Sequence, residues 1–260
     1  PDADYINDSF DGTFSAHEPN PLDEKNCRAL EAEVLKNHSD IGIIYDGDAD
    51  RVVFVDERGR FIQPDYMIAV LGLYYASNGM KGNALQDIRT SRSTTEYLES
   101  LGFNVYTWKV GHAFAKKKLR EIGGTFGGEL AGHYYLGDFY CCDSGILASL
   151  HVLTVLKGLK EEGRTLSGLI DSIVKYPNSG EVNFRLEHKD EAIQALYDAF
   201  APSSSRVLDF DGYRIEYPDW WFNVRKSNTE PYLRIVAEAE NNDLLQSKLG
   251  RIREIIGRFS

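Results

Sequence analysis

Cysteine is scarce in this sequence. Three occur in 260 residues, two of them adjacent as Cys141 and Cys142, so there is no disulfide framework, and reduced thiols in a cytoplasmic setting are expected. Positive charge is also short. Lys and Arg number 29 against 40 Asp and Glu, a formal charge of -11, which excludes a nucleic-acid surface and requires a local basic site for any anionic ligand. No apolar run approaches the roughly 20 residues of a membrane helix, and no signal-peptide pattern opens the sequence. The first residue is Pro1 rather than Met, and Pro1 to Tyr5 carries no helix or strand pattern, so a piece of a longer protein is expected.

What is present centres on Ile41 to Val55. Two β-rich apolar runs flank Asp46, Asp48 and Asp50, three carboxylates at every second residue. Alone they would repel one another and raise a pKa. Mg²⁺ resolves this, because it accepts a few carboxylates and keeps room for water or phosphate oxygen. A solvated acidic turn is the bland alternative. A calcium loop is the sharper one, with Asp46, Asp48, Asp50 and Glu57 at positions one, three, five and twelve. It lacks the glycine needed at position six, where Arg51 stands, and its flanks are strand-like.

Three further stretches can carry chemistry. In Gly127 to His133, glycines let Glu129 and His133 be aimed at one ligand, a pairing suited to sugar hydroxyls or proton transfer. A Gly-rich connection with a satisfied histidine fits equally. His112 and Lys116 lie four apart on a helix starting near Gly111, where phosphate can meet both, although such basic runs are commonly solvated faces. In Phe222 to Pro231, a strand runs into Arg225, Ser227, Asn228 and Thr229, a set of donors for phosphate oxygens.

Around these, helix and strand patterns alternate. Asp23 to Lys36 reads as an amphipathic helix with Cys27, Leu30 and Val34 on one stripe, and Asp65 as the cap of a second helix. Strands at 83–88, 104–108 and from Thr125 alternate with helices at 93–101 and 112–121, implying a second, parallel sheet. A long helix, 143–162, is expected to turn Ile146, Leu150, Leu153 and Leu156 inward. Tyr176 to Gly180 reads as a linker, and beyond it an antiparallel α+β unit has a hairpin at Asp211-Gly212. The fold class is α/β plus α+β, mixed or parallel α/β units before a small antiparallel one, divided at 1–62, 63–176 and 177–260.

Asp46-Gly-Asp48-Ala-Asp50-Arg51, Gly111-His112 with Lys116, Gly128-Glu129-Leu-Ala-Gly-His133 and Arg225-Lys-Ser227-Asn228-Thr229 stand in one order and at separations that resemble the α-D-phosphohexomutases. Gly137-Asp138-Phe139, Asp143-Ser144-Gly145 and Asp219-Trp220 are most similar to bacterial phosphomannomutases. The resemblance implies a Mg²⁺-dependent isomerase that moves phosphate between the 1- and 6-positions of a hexose through an enzyme phosphoserine and a bisphosphate. It assigns metal binding to Asp46, Asp48 and Asp50, and places Arg51 by the transferring phosphate. Glu129 would bind sugar hydroxyls, with His112 and His133 handling protons. Arg89 and Lys116 would lie near substrate, and Arg225, Ser227, Asn228 and Thr229 would hold the other phosphate. Two departures stand out. Ala131 replaces a common Ser, and the family's Ser-His-Asn-Pro phosphoserine loop is absent. Ser15, in Ser15-Ala-His-Glu-Pro, is therefore assigned no nucleophilic role, and partner domains N-terminal to this chain are expected to supply the serine. The alternative is a non-catalytic phosphosugar- or calcium-binding module.

Overall fold

The structure, a computed structural model, describes residues 2–9, 11–227 and 231–259. After an irregular opening, the Asp23 carboxylate accepts from Lys25 N and starts a 3-10 turn, Glu24–Cys27, that runs into α1 (Arg28–Asn37). Cys27 and Val34 are buried and Leu30 half-buried, as the periodicity requires. β1 (Ile41–Tyr45) and β2 (Val52–Asp56) pair antiparallel from Ile41 opposite Asp56 to Tyr45 opposite Val52. Residues 46–51 are thereby left as the connecting loop. β3 (Phe61–Ile62) extends the other edge of β2.

The middle of the chain gives α2 (Pro64–Ser77), β4 (Asn83–Asp87), α3 (Arg92–Ser100), β5 (Asn104–Trp108), α4 (His112–Glu121), β6 (Gly124–Gly128), β7 (Tyr134–Leu136), β8 (Cys142–Asp143), α5 (Gly145–Glu161) and α6 (Leu166–Ile173). The sheet order is β5-β4-β6-β7-β8. It is parallel across β5, β4 and β6 and antiparallel from β6 to β8, so the sheet is mixed rather than wholly parallel. The short return from Gly128 to Tyr134 leaves no room for the helical crossover that a parallel pair needs. α2, buried nearly all round, lies in one apolar core with residues of β2, β6, β7, α5 and α6.

The last unit is β9 (Asn178–Arg185), α7 (Lys189–Phe200), β10 (Arg206–Leu208), β11 (Tyr213–Glu216), β12 (Trp220–Lys226), β13 (Tyr232–Ala239) and α8 (Asn242–Ile256). Its sheet is antiparallel throughout, in the order β10-β11-β12-β13-β9, and has its own core under α7 and α8.

Three local expectations are corrected. Leu156 is buried and Leu153 packs on the core as expected, but Ile146 and Leu150 are 57% and 54% exposed, because α5 turns Ala148, Val152, Val155 and Leu159 inward in their place. Gln63, not Asp65, occupies the cap position of α2; Pro64 sets the first helical φ, and the Asp65 carboxylate turns away to accept from Ser91 N at 2.8 Å. Tyr176 to Gly180 does connect the middle and last units as expected, but not as a loop. β9 begins at Asn178, Ala239 N donates to Pro177 O, and Asn178 Nδ2 donates to Glu238.

The C-terminal sheet is joined to the middle unit mainly by polar groups. Buried Glu238 accepts from Ser91 Oγ, Arg92 N, Trp221 Nε1 and Asn178 Nδ2, placing a carboxylate at the start of α3 where the helix dipole favours it. Arg214 stacks on Trp221 at 3.6 Å and donates to the carbonyls of Ile88 and Thr90. These contacts fix the backbone on both sides of Arg89.

Asp65 lies beneath this joint, fully buried, and burial pushes its pKa up to about 7, with Glu238 and Asp87 adding repulsion. The folded protein therefore holds a proton that the unfolded chain releases near 3.8. This contribution to stability is full at low pH and declines between the two values, by at most about 1.4 kcal/mol per pH unit. Asp65→Asn, with Gln63 free to flip its amide, is expected to flatten that decline. Chemical denaturation of both proteins from pH 4 to 8 checks it, and parallel pH profiles would refute it.

Candidate functional site

The acidic loop is tightly turned. Ala49 adopts φ 59°, uncommon for a residue with a Cβ, within the course that gathers the three carboxylates. One oxygen from each of Asp46, Asp48 and Asp50 lies within 4.8 Å of the others. Arg51 organises the first, its Nε donating to Asp46 Oδ2 at 2.7 Å and its backbone N to Oδ1 at 3.2 Å. Burial raises the pKa of Asp50, as do Asp46, Asp48 and Asp143, against the pull of His133. Three hard oxygen donors whose mutual repulsion a cation would relieve fit Mg²⁺.

The loop is docked on the Gly-rich stretch. Arg51 and His133 form an antiparallel bridge, and Val52 N donates to Gly132 O at 3.1 Å. Gly132 has φ +86°, and a Cβ there would sit 3.1 Å from Val52 O, so the close approach favours glycine. His133 thus lies beside the acidic trio, with Nδ1 3.7 Å from Asp50 Oδ2.

His112 and Lys116 converge on the same place from the first turns of α4. Lys116 Nζ is 2.6 Å from Asp143 Oδ1, His133 Nδ1 is 3.0 Å from Asp143 Oδ2, and His112 Nδ1 is 3.9 Å away from that second oxygen. The His112 and His133 rings stack at 5.8 Å. Glu129 is buried, with Oε1 accepting from Gly111 N at 3.0 Å and Tyr135 OH at 2.9 Å. Burial and Asp87 raise its pKa, while Arg89, His133 and the Tyr135 hydroxyl oppose the rise.

A basic pair faces this group from the joint. Arg89 is buried and salt-bridged to Asp87 at 2.7 Å and to Glu181 at 3.2 Å. Asp87 Oδ2 also accepts from Leu130 N at 2.8 Å, tying the arginine to the Glu129 loop. Arg225 on β12 is buried as well; burial and then Arg89 lower its pKa, and its Nε has no hydrogen-bond partner among the described residues. An anion would satisfy it. Ser227 follows after Lys226, while Asn228 and Thr229 lie outside the described residues. The exposed hydroxyl of Ser15 donates to Asp11 at 2.5 Å.

Sequence reading missed Asp87 and Asp143. Both close strands, β4 and β8; Asp87 pairs with nearby Arg89 but also reaches Leu130 N, and Asp143 pairs with Lys116 and His133, distant in sequence. Only the position of Asp87 at a parallel strand's C-terminal end could have flagged it.

Residues 5–59, 63–176 and 181–255 match, in order, the family models described as phosphoglucomutase/phosphomannomutase alpha/beta/alpha domain II, alpha/beta/alpha domain III and C-terminal domain. The chain belongs to the phosphoglucomutase/phosphomannomutase family. Among its relatives, a phosphomannomutase of Methanocaldococcus jannaschii is 34% identical over 98% of this chain and 56% of its own length. One from Escherichia coli K12 is 34% identical over 91% of this chain and 52% of its own. A family member from Burkholderia thailandensis superposes with a TM-score of 0.81 at 27% identity, covering 95% of this chain and 52% of that one. The chain thus spans about half the length of the curated relatives it matches. No helix among the described residues is long and apolar enough to cross a membrane, and Cys27, Cys141 and Cys142 are free thiols.

Proposed function

We propose that the chain supplies the metal-, sugar- and phosphate-binding parts of a cytoplasmic isomerase that interconverts hexose 1-phosphate and hexose 6-phosphate, mannose phosphates being favoured and glucose phosphates also accepted. The observation that carries this is the docking of the Asp46, Asp48 and Asp50 loop on His133, next to Glu129 and across from Arg89 and Arg225. This reading makes the acidic trio a metal pole and the two arginines an anion pole, with Glu129 and His133 as the polar groups for the sugar. The names of the relatives support mannose phosphate.

Asp46, Asp48 and Asp50 are the residues that would hold Mg²⁺, which when bound offsets charge on a transferring phosphoryl group. Arg51, fixed by Asp46, presents its guanidinium beside that group. Arg225, with Ser227, Asn228 and Thr229, grips the phosphate that is not transferred. Glu129 accepts from sugar hydroxyls through the oxygen its two donors leave open. His133 and His112 handle the hydroxyl proton, and Arg89 and Lys116 supply positive charge nearby. The phosphoryl donor is a phosphoserine outside this chain, in a parent enzyme divided here as 1–62, 63–176 and 177–260.

On this reading the 260-residue chain alone is inactive, and the longer enzyme that contains it turns over mannose 1-phosphate in a Mg²⁺-dependent coupled assay. Turnover by the chain alone would overturn the first statement. A longer enzyme that binds hexose phosphate without turning it over would replace the second with a binding module.

A further inference from the structure

Asp143 collects three basic side chains from two different elements, and the way it divides its oxygens is informative. Lys116 takes Oδ1 at 2.6 Å and His133 Nδ1 takes Oδ2 at 3.0 Å. The carboxylate is 6% exposed and closely located. Asp143 pairs opposite Tyr135 in the β7–β8 ladder, Ser144 N donates to Tyr134 O, and Gly145 N donates to Ala49 O at 3.2 Å. A Cβ on Gly145 would lie 2.9 Å from Ala49 O, so this turn is pressed against the acidic loop itself. Against the upward push of burial, hydrogen bonds from His133 and Lys116 bring the Asp143 pKa down to about 2. It is an anion that can only accept.

A carboxylate that only accepts dictates which nitrogen of its partner carries the hydrogen that faces it. The neutral His133 ring must carry its hydrogen on Nδ1, leaving the lone pair on Nε2. Its plane is set by stacking with His112 at 5.8 Å and Tyr135 at 6.2 Å. Asp50, 3.7 Å from the same nitrogen, is too far for a hydrogen bond.

We propose that Asp143 is a positioning residue for phosphoryl transfer, fixing His133 as the Nδ1–H tautomer and anchoring Lys116 beside it. Nε2 then takes the proton of the substrate hydroxyl as that oxygen bonds to phosphorus and the phosphorus bond to the donor serine oxygen breaks. The kinetic part of this rests on the mutase reading; the tautomer does not.

Asp143→Asn supplies a sharp test because the two oxygens become unlike. Lys116 can use only the amide carbonyl, so the amide NH₂ must face His133. The ring is then forced to present a lone pair at Nδ1 and to carry its hydrogen on Nε2, the wrong tautomer. ¹⁵N spectra of histidine-labelled chain, with His133 assigned by His133→Gln, are expected to report Nδ1–H in the parent and Nε2–H in Asp143→Asn. Adding Lys116→Met frees the carbonyl to turn, and the double variant is expected to return to Nδ1–H. In the longer enzyme, Asp143→Asn is expected to lower kcat about a hundredfold or more, with KM changed less than about threefold. Nε2–H in the parent chain, or an unchanged tautomer in Asp143→Asn, overturns the proposal whatever the enzyme does. A flipped tautomer with kcat within about threefold confines Asp143 to structure and overturns the positioning role. If the parent enzyme has no turnover, the mutase reading fails instead and the spectra still decide the tautomer.

Discussion

Arg225→Ala in the longer enzyme is expected to raise KM for hexose phosphate by about a hundredfold or more, two charged hydrogen bonds at about 1.5–3 kcal/mol each being at stake. The structure stores the demand for an anion at this residue. Its guanidinium is buried, its pKa is depressed by burial and by Arg89, and its Nε lacks a partner among the described residues. The same facts predict that the variant without ligand is no less stable than the parent, since a buried like-charge contact is relieved. Steady-state kinetics together with chemical denaturation check both halves. A variant that loses stability while keeping KM would make Arg225 a structural residue.

The second large effect is on stability. Glu238→Ala removes the shared acceptor of Ser91 Oγ, Arg92 N, Trp221 Nε1 and Asn178 Nδ2, leaving buried donors unpaired at the joint. A loss of about 3–5 kcal/mol is expected, in line with breaking other buried charge-centred networks. The middle and C-terminal units have separate apolar cores, so the variant is also expected to melt in two steps where the parent melts more cooperatively. Calorimetry distinguishes this from uniform destabilisation, in which a single transition would simply move down.

The parts of this molecule that were legible in its sequence are those set by short-range rules. The 46–51 loop followed from two apolar runs around alternating carboxylates, α4 from Gly111 onward, and the β10–β11 turn from Asp211-Gly212. The misreadings have one physical origin, which is that a periodic pattern does not say what covers each face. Ile146 and Leu150 fit an inward stripe, but α5 is rotated to bury Val152 and Val155. Asp65 had the chemistry of a cap, yet the more favourable use of its carboxylate was a backbone amide 26 residues away. The anchors of the site were hidden for the same reason. Asp87 serves Arg89 locally but also Leu130 N, and Asp143 joins Lys116 to His133, pairings that exist only once the strands are assembled.

The most direct test of the central claim is to locate a divalent ion in crystals of this chain, using the anomalous signal of Mn²⁺ in place of Mg²⁺. Two clusters compete, sharing Asp50: the all-oxygen trio with Asp46 and Asp48, and the mixed group with His133 and Asp143. The ion is expected on the oxygens of Asp46, Asp48 and Asp50, with His133 still bonded to Asp143. Density on His133 and Asp143, or an acidic trio that opens to solvent with no ion bound, would contradict the account.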